Sequence, residues 1–202
     1  FLELSSLPAA DRAEPGQCWG RKFIKKLEDM DCGGSAELKA ALQIKLQDYL
    51  HKRSLLLQST RVIRSMYKQA AYWSLMQLIL SIPGIGEINA AIILFELQDI
   101  VRFKTFDNLC SYVGLIPDTD DSGETKRNKG LTHRRNTYLR EALIESSWVL
   151  IKKDPAMLMK HKDYCKRMHK NKAIIKIARH LLARINYVLR KQTAYVSGLL
   201  QG

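Results

Sequence analysis

The stretch LILSIPGIGEINAAIIL, residues 78–94, predicts two apolar helices joined by a tight turn. Pro83 ends the first helix, because its ring removes a backbone N–H donor. Gly84 and Gly86 allow positive φ and a close approach of two backbones, and Ala90 lets the second helix pack tightly against the first. The chain around this stretch is therefore expected to be helical.

The PGIG turn at residues 83–86 resembles the core of a helix-hairpin-helix. Such a turn presents backbone N–H groups at a helix N-terminus, where they suit a DNA phosphate without reading the base sequence. Gly84 and Gly86 are therefore candidate nucleic-acid contacts. A purely structural helical hairpin is the alternative, because Glu87 follows the turn and residues 81–120 carry two basic against six acidic side chains.

The composition is that of a globular protein. The chain has 202 residues, 46% hydrophobic and 26% charged, so neither extensive disorder nor a collagen-like architecture fits. No apolar run approaches the roughly 18 residues of a membrane span, and the four cysteines have neither zinc-site spacing nor the density of a disulfide framework. The chain opens with FLELSSLP, without an initiator Met or a signal peptide, so we expect a fragment of a cytoplasmic protein.

A long helix is predicted after the glycine pair at residues 33–34. Ser35 is suited to cap it, and the segment from Ala36 to about Leu80 contains no Pro or Gly. Apolar residues follow one seven-residue row, whereas the companion row is polar in its first half. The rows are Leu42, Tyr49, Leu56, Ile63 and Ala70, and Lys45, Lys52, Ser59, Met66 and Trp73. This pattern favours a coiled-coil arm for self-association, or a long helix packed within the chain.

Helices are also predicted after the turn. Thr105 is expected to cap a helix that runs to Val113 and ends at Gly114, and residues 115–130 are expected to form a polar loop. Further helices are expected from about His133 with Thr132 as cap, from Pro155 with Asp154 as cap, and from about Lys172. The expected fold class is all-α: a long coiled-coil-like arm and a helical domain containing the helix-hairpin-helix. The expected domains are a linker and short helix at 1–34, the arm at 35–74 and a C-terminal domain at 75–202.

The net charge of +13 is concentrated near the C-terminus. Residues 121–202 hold 19 Lys and Arg against six Asp and Glu. Such an excess attracts polyanions, because each neutralised phosphate releases condensed counterions. Solvated lysines on helix faces are the alternative, and a membrane surface fits less well because the basic helices lack Trp or Phe wedges. We therefore expect DNA as the partner.

The polar stretch LIPDTDDSGETKRNKG, residues 115–130, contains a candidate nucleophile, Ser122. Ser122 stands beside a glycine and close to basic side chains that can clamp a phosphate, although a serine in such a loop is also a common turn residue. Three aspartates precede it, but without the Gly and Glu spacing of a calcium loop. No metal site is therefore assigned to this chain.

Several motifs in order, IPGIG, RFKTFDNLCSYVGLIPDTDDSG, LTHRRNTYLREAL and NKAIIKIARHLLARI, resemble the C-terminal domain of the DEDD-class insertion-sequence transposases. The resemblance is to the "IS-one-ten" family, which includes the Piv-type invertases and the bridge-RNA-guided recombinases, and it covers about residues 75–195. The chain departs from the family pattern at Asp121, where the family often has Ser, and at residues 133–136, which are HRRN instead of KRGN.

This resemblance implies transposition by DNA strand exchange, with an active site in two halves. One half is a RuvC-like nuclease domain whose acidic residues hold Mg²⁺, expected upstream of Phe1. The other is a serine nucleophile, which in this sequence is Ser122. The resemblance further implies that Arg134, Arg135 and Arg140 contact phosphates, with Lys126, Arg127 and Lys129 as supporting charge.

The resemblance also implies partners besides DNA. These are a guide (bridge) RNA and further copies of the same chain, joined through the helical arm, in a bacterial, nucleoid-associated protein. The fragment alone is then expected to be inactive. Two alternatives remain: a non-catalytic nucleic-acid-binding and dimerisation module in which Ser122 only shapes a turn, and a protein-interaction arm with incidental charge.

Salt dependence separates the last alternative from the others. If DNA phosphates are the target, DNA affinity falls steeply between about 50 and 200 mM salt, because counterion release weakens. Fluorescence anisotropy with a labelled DNA duplex measures this. A flat salt response would indicate that the charge is incidental.

Overall fold

The computed structural model describes residues 20–122, 125–131 and 136–196. Within these residues the chain forms eight α-helices, a short 3-10 helix at Ile100–Arg102 and one hairpin. The helices are α1 (Arg21–Glu28), α2 (Ala36–Tyr67), α3 (Ala70–Leu80), α4 (Glu87–Leu97), α5 (Phe106–Val113), α6 (Thr137–Lys153), α7 (Pro155–Cys165) and α8 (Lys170–Lys191), and the strands are β1 (Pro117–Ser122) and β2 (Thr125–Leu131). The predicted helical fold class is confirmed. None of the described helices combines the length and the apolar character needed to cross a lipid bilayer.

The chain divides into two compact units, residues 1–61 and 62–202. In the first unit, α1 packs on α2 through a small apolar cluster of Phe23, Leu27 and Leu46, against which Met30 and Leu42 are partly buried. Further along the predicted seven-residue row, the Leu56 side chain is 67% exposed. The coiled-coil arm and its role in self-association stay predictions.

The predicted uninterrupted helix from Ala36 to about Leu80 is wrong. Helix α2 ends at Tyr67, and Gln69 adopts an extended conformation (φ −62°, ψ 145°) before α3 begins. No Pro or Gly marks this break. Its physical basis is tertiary, because Tyr67 is buried and its hydroxyl donates a hydrogen bond to Glu87, and such contacts override local helix propensity.

The core of the second unit forms around α8. Its buried residues recur every three or four positions, so one apolar face runs along the whole helix. That face packs against α3, α5, α6 and α7. Among the largest fully buried side chains of the core are Met76, Ile79, Ile93, Leu109, Leu143, Leu150, Ile177 and Leu181.

The turn between α3 and α4 lies directly on α6. Gly84 has φ +94°, a conformation that side chains rarely adopt. A Cβ atom added to it would lie 2.7 Å from Cα and N of Leu150 and 2.8 Å from the carbonyl oxygen of Ser146. The residue is therefore Gly for two reasons, backbone angle and space, and the turn can approach α6 only because both are met.

The predicted polar loop at residues 115–130 is wrong. Strands β1 and β2 pair antiparallel instead, with Asp120 opposite Arg127, Asp121 opposite Lys126 and Ser122 opposite Thr125. The segment lacks the alternation of polar and apolar residues that marks a half-buried strand. The register instead pairs acidic positions of β1 with basic positions of β2. Residues of opposite charge at paired positions favour antiparallel pairing.

The predicted N-caps agree with the structure in three of four cases. The Ser35 side chain accepts a hydrogen bond from the Leu38 N–H at 3.3 Å at the start of α2. The Thr105 side chain accepts a hydrogen bond from the Asn108 N–H, and Gly114 ends α5 with φ 79°, both as predicted. Asp154 caps α7, also as predicted. The fourth cap is wrong, because α6 begins at Thr137 and is capped by the Asn136 side chain, which accepts from the Leu139 N–H at 3.0 Å. Thr132 lies outside the described residues.

We predict that Gly84→Ala lowers the free energy of unfolding by at least about 2 kcal/mol, because the positive φ and the crowded Cβ position both oppose a side chain. Gly86→Ser is the matched control, since Gly86 has φ −94° and no atom within 4 Å of its Cβ position. That change is expected to alter stability by only a few tenths of a kcal/mol. Urea unfolding of both variants measures the difference, and equal losses would contradict the packing argument.

Candidate nucleic-acid interface

The hairpin that carries Ser122 is anchored at its base by a polar cluster. Asn136, which follows the hairpin, donates from its backbone N–H to the Tyr112 carbonyl oxygen at 3.1 Å and from Nδ2 to Oε2 of Glu96 at 2.5 Å. The Tyr112 hydroxyl in turn donates to the Glu96 carbonyl oxygen at 3.2 Å. The end of α4, α5 and the start of α6 are thereby tied together where the hairpin leaves the helical core.

Ser122 lies at the end of β1, beside the two residues that connect the strands. Its register partner is Thr125, and the next pair toward the base joins Asp121 with Lys126. Lys126, Arg127 and Lys129 all lie on β2. The structure thus brings the candidate serine and three of the candidate basic residues into one hairpin.

Of the three remaining basic candidates, the structure describes Arg140 alone. Arg140 lies in the first turn of α6 and is half-buried. Arg134 and Arg135, expected at the start of that helix, lie outside the described residues, and the helix begins after them. A cation in the first turn of a helix opposes the helix dipole, so Arg140 stands where a bound anion would be favourable.

The predicted phosphate contacts at Gly84 and Gly86 lie in different surroundings. Gly84 is buried against α6, whereas Gly86 is exposed and precedes α4. Glu87 occupies the first turn of α4, where it accepts hydrogen bonds from the Tyr67 hydroxyl at 3.1 Å and from Nε of Arg64 at 3.0 Å. These two bonds lower the pKa of the Glu87 carboxyl. The start of α4 thus already carries a negative charge, and phosphate binding there stays a prediction.

Helices α7 and α8 are held together by a buried ion pair at Asp154. One carboxylate oxygen accepts from the Met157 N–H at 3.1 Å and the other from Nη1 of Arg184 at 2.7 Å. Burial alone would raise the pKa of Asp154, but the hydrogen bonds from Arg184 and Met157 outweigh it and lower this pKa. The carboxylate therefore stays ionised and fixes α8 against the start of α7.

A cleft of about 630 Å³ opens beside this ion pair. Lys160, His180, Arg184 and Tyr187 are among its lining residues. The Tyr164 hydroxyl lies 3.0 Å from Nε2 of His180. Burial and then the nearby Lys160, Arg184 and Arg179 lower the pKa of His180, so this ring is neutral near pH 7 and adds no charge to the cleft.

Two possible reactive groups, a metal cluster and the thiol of Cys110, are not supported among the described residues. Among them, no group of three or more His, Cys, Asp or Glu side chains could hold a metal ion. Cys110 is buried, and burial raises the pKa of its thiol to about 11, so it is protonated at neutral pH and a poor nucleophile.

The α3–α4 turn, the hairpin and α6 all lie in a segment that is similar to a known protein family. A family model described as the transposase IS116/IS110/IS902 family matches residues 76–162. Residues 76–162 are thus similar to the transposase domain of this family. The resemblance stated from the sequence motifs is thereby confirmed.

Two relatives match a larger part of the chain than the family model does. The uncharacterized 43.6 kDa protein of insertion element IS110 from Streptomyces coelicolor is 28% identical over 123 residues, which are 60% of this chain and 30% of that protein. The transposase for insertion sequence element IS1111A from Coxiella burnetii is 28% identical over 126 residues, 60% of this chain and 35% of that protein. The matched stretch thus spans about a third of the length of these relatives.

Sequence reasoning missed the residues that hold the site in position. The Glu96, Tyr112 and Asn136 cluster joins three elements that are distant in sequence, and no spacing rule indicates it. The ion pair of Asp154 with Arg184 had one available signal, since Asp154 and Asp163 are the two acidic residues in the basic stretch 152–191. An isolated acid among so many cations indicates a paired group.

We predict that Asp154→Asn lowers the free energy of unfolding by about 2 to 4 kcal/mol at pH 7, because Arg184 loses its charged partner in a largely buried position. The folded-state pKa of Asp154 is lowered, so its contribution is present above the unfolded pKa of about 3.9 and is lost as the pH falls through the folded pKa. The difference between parent and variant should therefore shrink below about pH 4.

The control is Asp163→Asn, which breaks an exposed pair with Lys166 and should leave the unfolding midpoint nearly unchanged. Thermal unfolding followed by circular dichroism at several pH values measures both variants. A difference between parent and Asp154→Asn that persists unchanged at pH 3 would contradict the ion-pair explanation.

Proposed function

We propose that this chain is the C-terminal part of a DNA transposase, that it binds DNA, and that Ser122 is the nucleophile of strand exchange. The observation that carries the proposal is the position of Ser122. It lies at the end of β1, next to the connection of a hairpin whose second strand bears Lys126, Arg127 and Lys129, within residues 76–162 that match the transposase family. A hydroxyl beside cations that can bind a phosphate is suited to attack a phosphodiester.

The register of the hairpin answers one objection to this role. Asp121, next to Ser122 in sequence, would repel an approaching phosphate. It stands opposite Lys126, and Asp120 stands opposite Arg127. In the register, the two acidic residues nearest Ser122 on its own strand are thus paired with basic residues, and such pairing reduces the repulsion of a phosphate in this proposal.

The proposed reaction conserves the number of phosphate ester bonds. The Ser122 hydroxyl oxygen forms a bond to a DNA phosphorus, one P–O bond of the DNA backbone breaks, and the departing oxygen takes a proton to become a DNA hydroxyl. The strand is then held as a phosphoserine. A hydroxyl of a different DNA end attacks this phosphorus, and Ser122 leaves with its proton restored.

Further parts of the proposal concern partners outside this chain. Mg²⁺, held by a RuvC-like domain expected outside this chain, would stabilise charge on the attacking and leaving oxygens. A guide RNA, self-association through α2, and association with the bacterial nucleoid are likewise proposed. The chain spans about a third of its relatives, so these properties concern the whole protein.

We predict that Ser122→Ala in the full-length protein abolishes strand exchange and the covalent protein–DNA product while DNA affinity stays within about twofold. The covalent product is detected as labelled DNA that stays with the protein in a denaturing gel. Thr125→Ala is the matched control, since it removes the hydroxyl of the register partner of Ser122 and should leave the covalent product in place.

The alternative is a non-catalytic nucleic-acid-binding and dimerisation module. It predicts undiminished recombination in Ser122→Ala, with the variant still bound to DNA. That result would overturn the nucleophile role and leave DNA binding as the function.

A further inference from the structure

The net positive charge of the second unit comes from α7, α8 and the residues next to them. Residues 152–191 carry 13 basic and two acidic side chains, whereas the remainder of residues 62–202 carries ten of each. The net charge of this unit, +11, therefore comes entirely from residues 152–191. The candidate nucleic-acid contacts predicted from the sequence motifs all lie before this stretch.

The hairpin cannot supply a comparable attraction. Residues 117–131 contain four acidic and three basic side chains, a net charge of −1. Two of the basic residues stand opposite aspartates in the strand register. A polyanion approaching from a distance responds to net charge, so it is attracted to residues 152–191 and not to the hairpin.

Several cations in this stretch are held by the protein itself. Arg184 pairs with Asp154, Lys166 pairs with Asp163 at 2.8 Å, and Arg179 pairs with Asp107 at 2.7 Å.

Two further cations contact neutral groups of the protein. The Arg190 guanidinium donates to the carbonyl oxygens of Ile100 and Phe103. The Lys176 ammonium lies 5.2 Å from the centre of the Tyr164 ring. These side chains stabilise the fold and are less available to a ligand.

A second group of cations is exposed and concentrated where α7 connects to α8. It consists of Lys162, Arg167, Lys170 and Lys172, which lie within eleven residues of chain. We call these four residues the α7–α8 basic surface. Within the described part of the chain, none of the four forms an ion pair with a carboxylate. They are therefore available to phosphates.

The composition of the α7–α8 basic surface favours a duplex over a single strand. Proteins that bind single strands combine positive charge with exposed aromatic rings on which bases stack. Tyr164, the aromatic residue nearest in sequence, is half-buried, stacks on His180 and is covered by Lys176. Three of the four cations are lysines, whose ammonium groups contact phosphates as point charges. Such phosphate contacts do not distinguish one base sequence from another.

We propose that the α7–α8 basic surface is a second DNA contact, which binds the phosphate backbone of a duplex independently of its base sequence and separately from the hairpin. This inference rests on the proposed function, DNA binding by this chain. In this proposal, α7 and α8 provide affinity for the DNA backbone, whereas the hairpin provides the serine nucleophile. The two roles belong to different residues and can be removed one at a time.

The test compares two variants that lose the same charge. The surface variant carries Lys162→Ala, Arg167→Ala, Lys170→Ala and Lys172→Ala, and the control variant carries Lys22→Ala, Lys25→Ala, Lys39→Ala and Arg61→Ala, which are exposed residues of the first unit. Affinity of the full chain for a 30-base-pair DNA duplex is measured by anisotropy from about 50 to 200 mM salt. Equal helical circular dichroism and unfolding midpoints establish that both variants fold.

The surface variant is expected to bind at least about tenfold more weakly at 150 mM salt, with a slope of log affinity against log salt shallower by about 2 to 4, since each phosphate contact contributes about 0.9. The control variant is expected to bind within about threefold of the parent. Ser122→Ala in the surface variant should not weaken binding further.

Three results would overturn the inference. The surface variant could bind as tightly as the parent, both variants could lose affinity equally, or an RNA hairpin could compete better than the DNA duplex for the parent protein. If the parent protein itself bound no duplex, the proposed function would fail instead. If the first of these results came with loss of affinity in Lys126, Arg127 and Lys129 variants, DNA binding would stand and the α7–α8 basic surface would be rejected.

Discussion

The contact between the α3–α4 turn and the backbone of α6 is the constraint on which the second unit depends. It requires a residue without Cβ at Gly84, because Leu150 and Ser146 fill the space that a side chain would need. With the turn so close, Asn89 on α4 also reaches α6, where its Nδ2 donates to Glu145 and Ser146 at 3.2 and 3.1 Å. Helix α6 then runs from the base of the hairpin at Asn136 to the start of α7 at Asp154, so one helix relates the turn, the hairpin and the basic helices.

The division between chemistry and affinity follows from how charge is distributed over these elements. The hairpin, residues 117–131, has four acidic and three basic residues, and its net charge of −1 limits its attraction for DNA. The thirteen cations of residues 152–191 have two acidic neighbours, and both of these are used in ion pairs. In the proposed function, long-range attraction and local phosphate chemistry therefore reside on separate parts of the second unit.

Much of the fold could be predicted from local signals. Gly114 with Thr105, and Asp154 with Pro155, mark helix ends through backbone angles and caps, which depend on a few adjacent residues. Features that depend on contacts distant in sequence could not be predicted in this way. The break after Tyr67 depends on the hydrogen bond from its hydroxyl to Glu87. The hairpin pairs acidic with basic positions, and a search for alternating apolar residues does not detect such strands. Ser122 and the β2 cations could be selected from the motif order, whereas Glu96, Tyr112 and Asn136, which anchor them, could not.

Asp154 is both the C-cap of α6 and the N-cap of α7, so the two helices meet at a single residue. One extra residue at this junction would turn α7 by about 100° around its axis, since a helix has 3.6 residues per turn. Met157 would leave the core, and the carboxylate would no longer face Arg184. Length variation is therefore expected to be excluded from this corner of the molecule, whatever changes evolution accepts elsewhere on its surface.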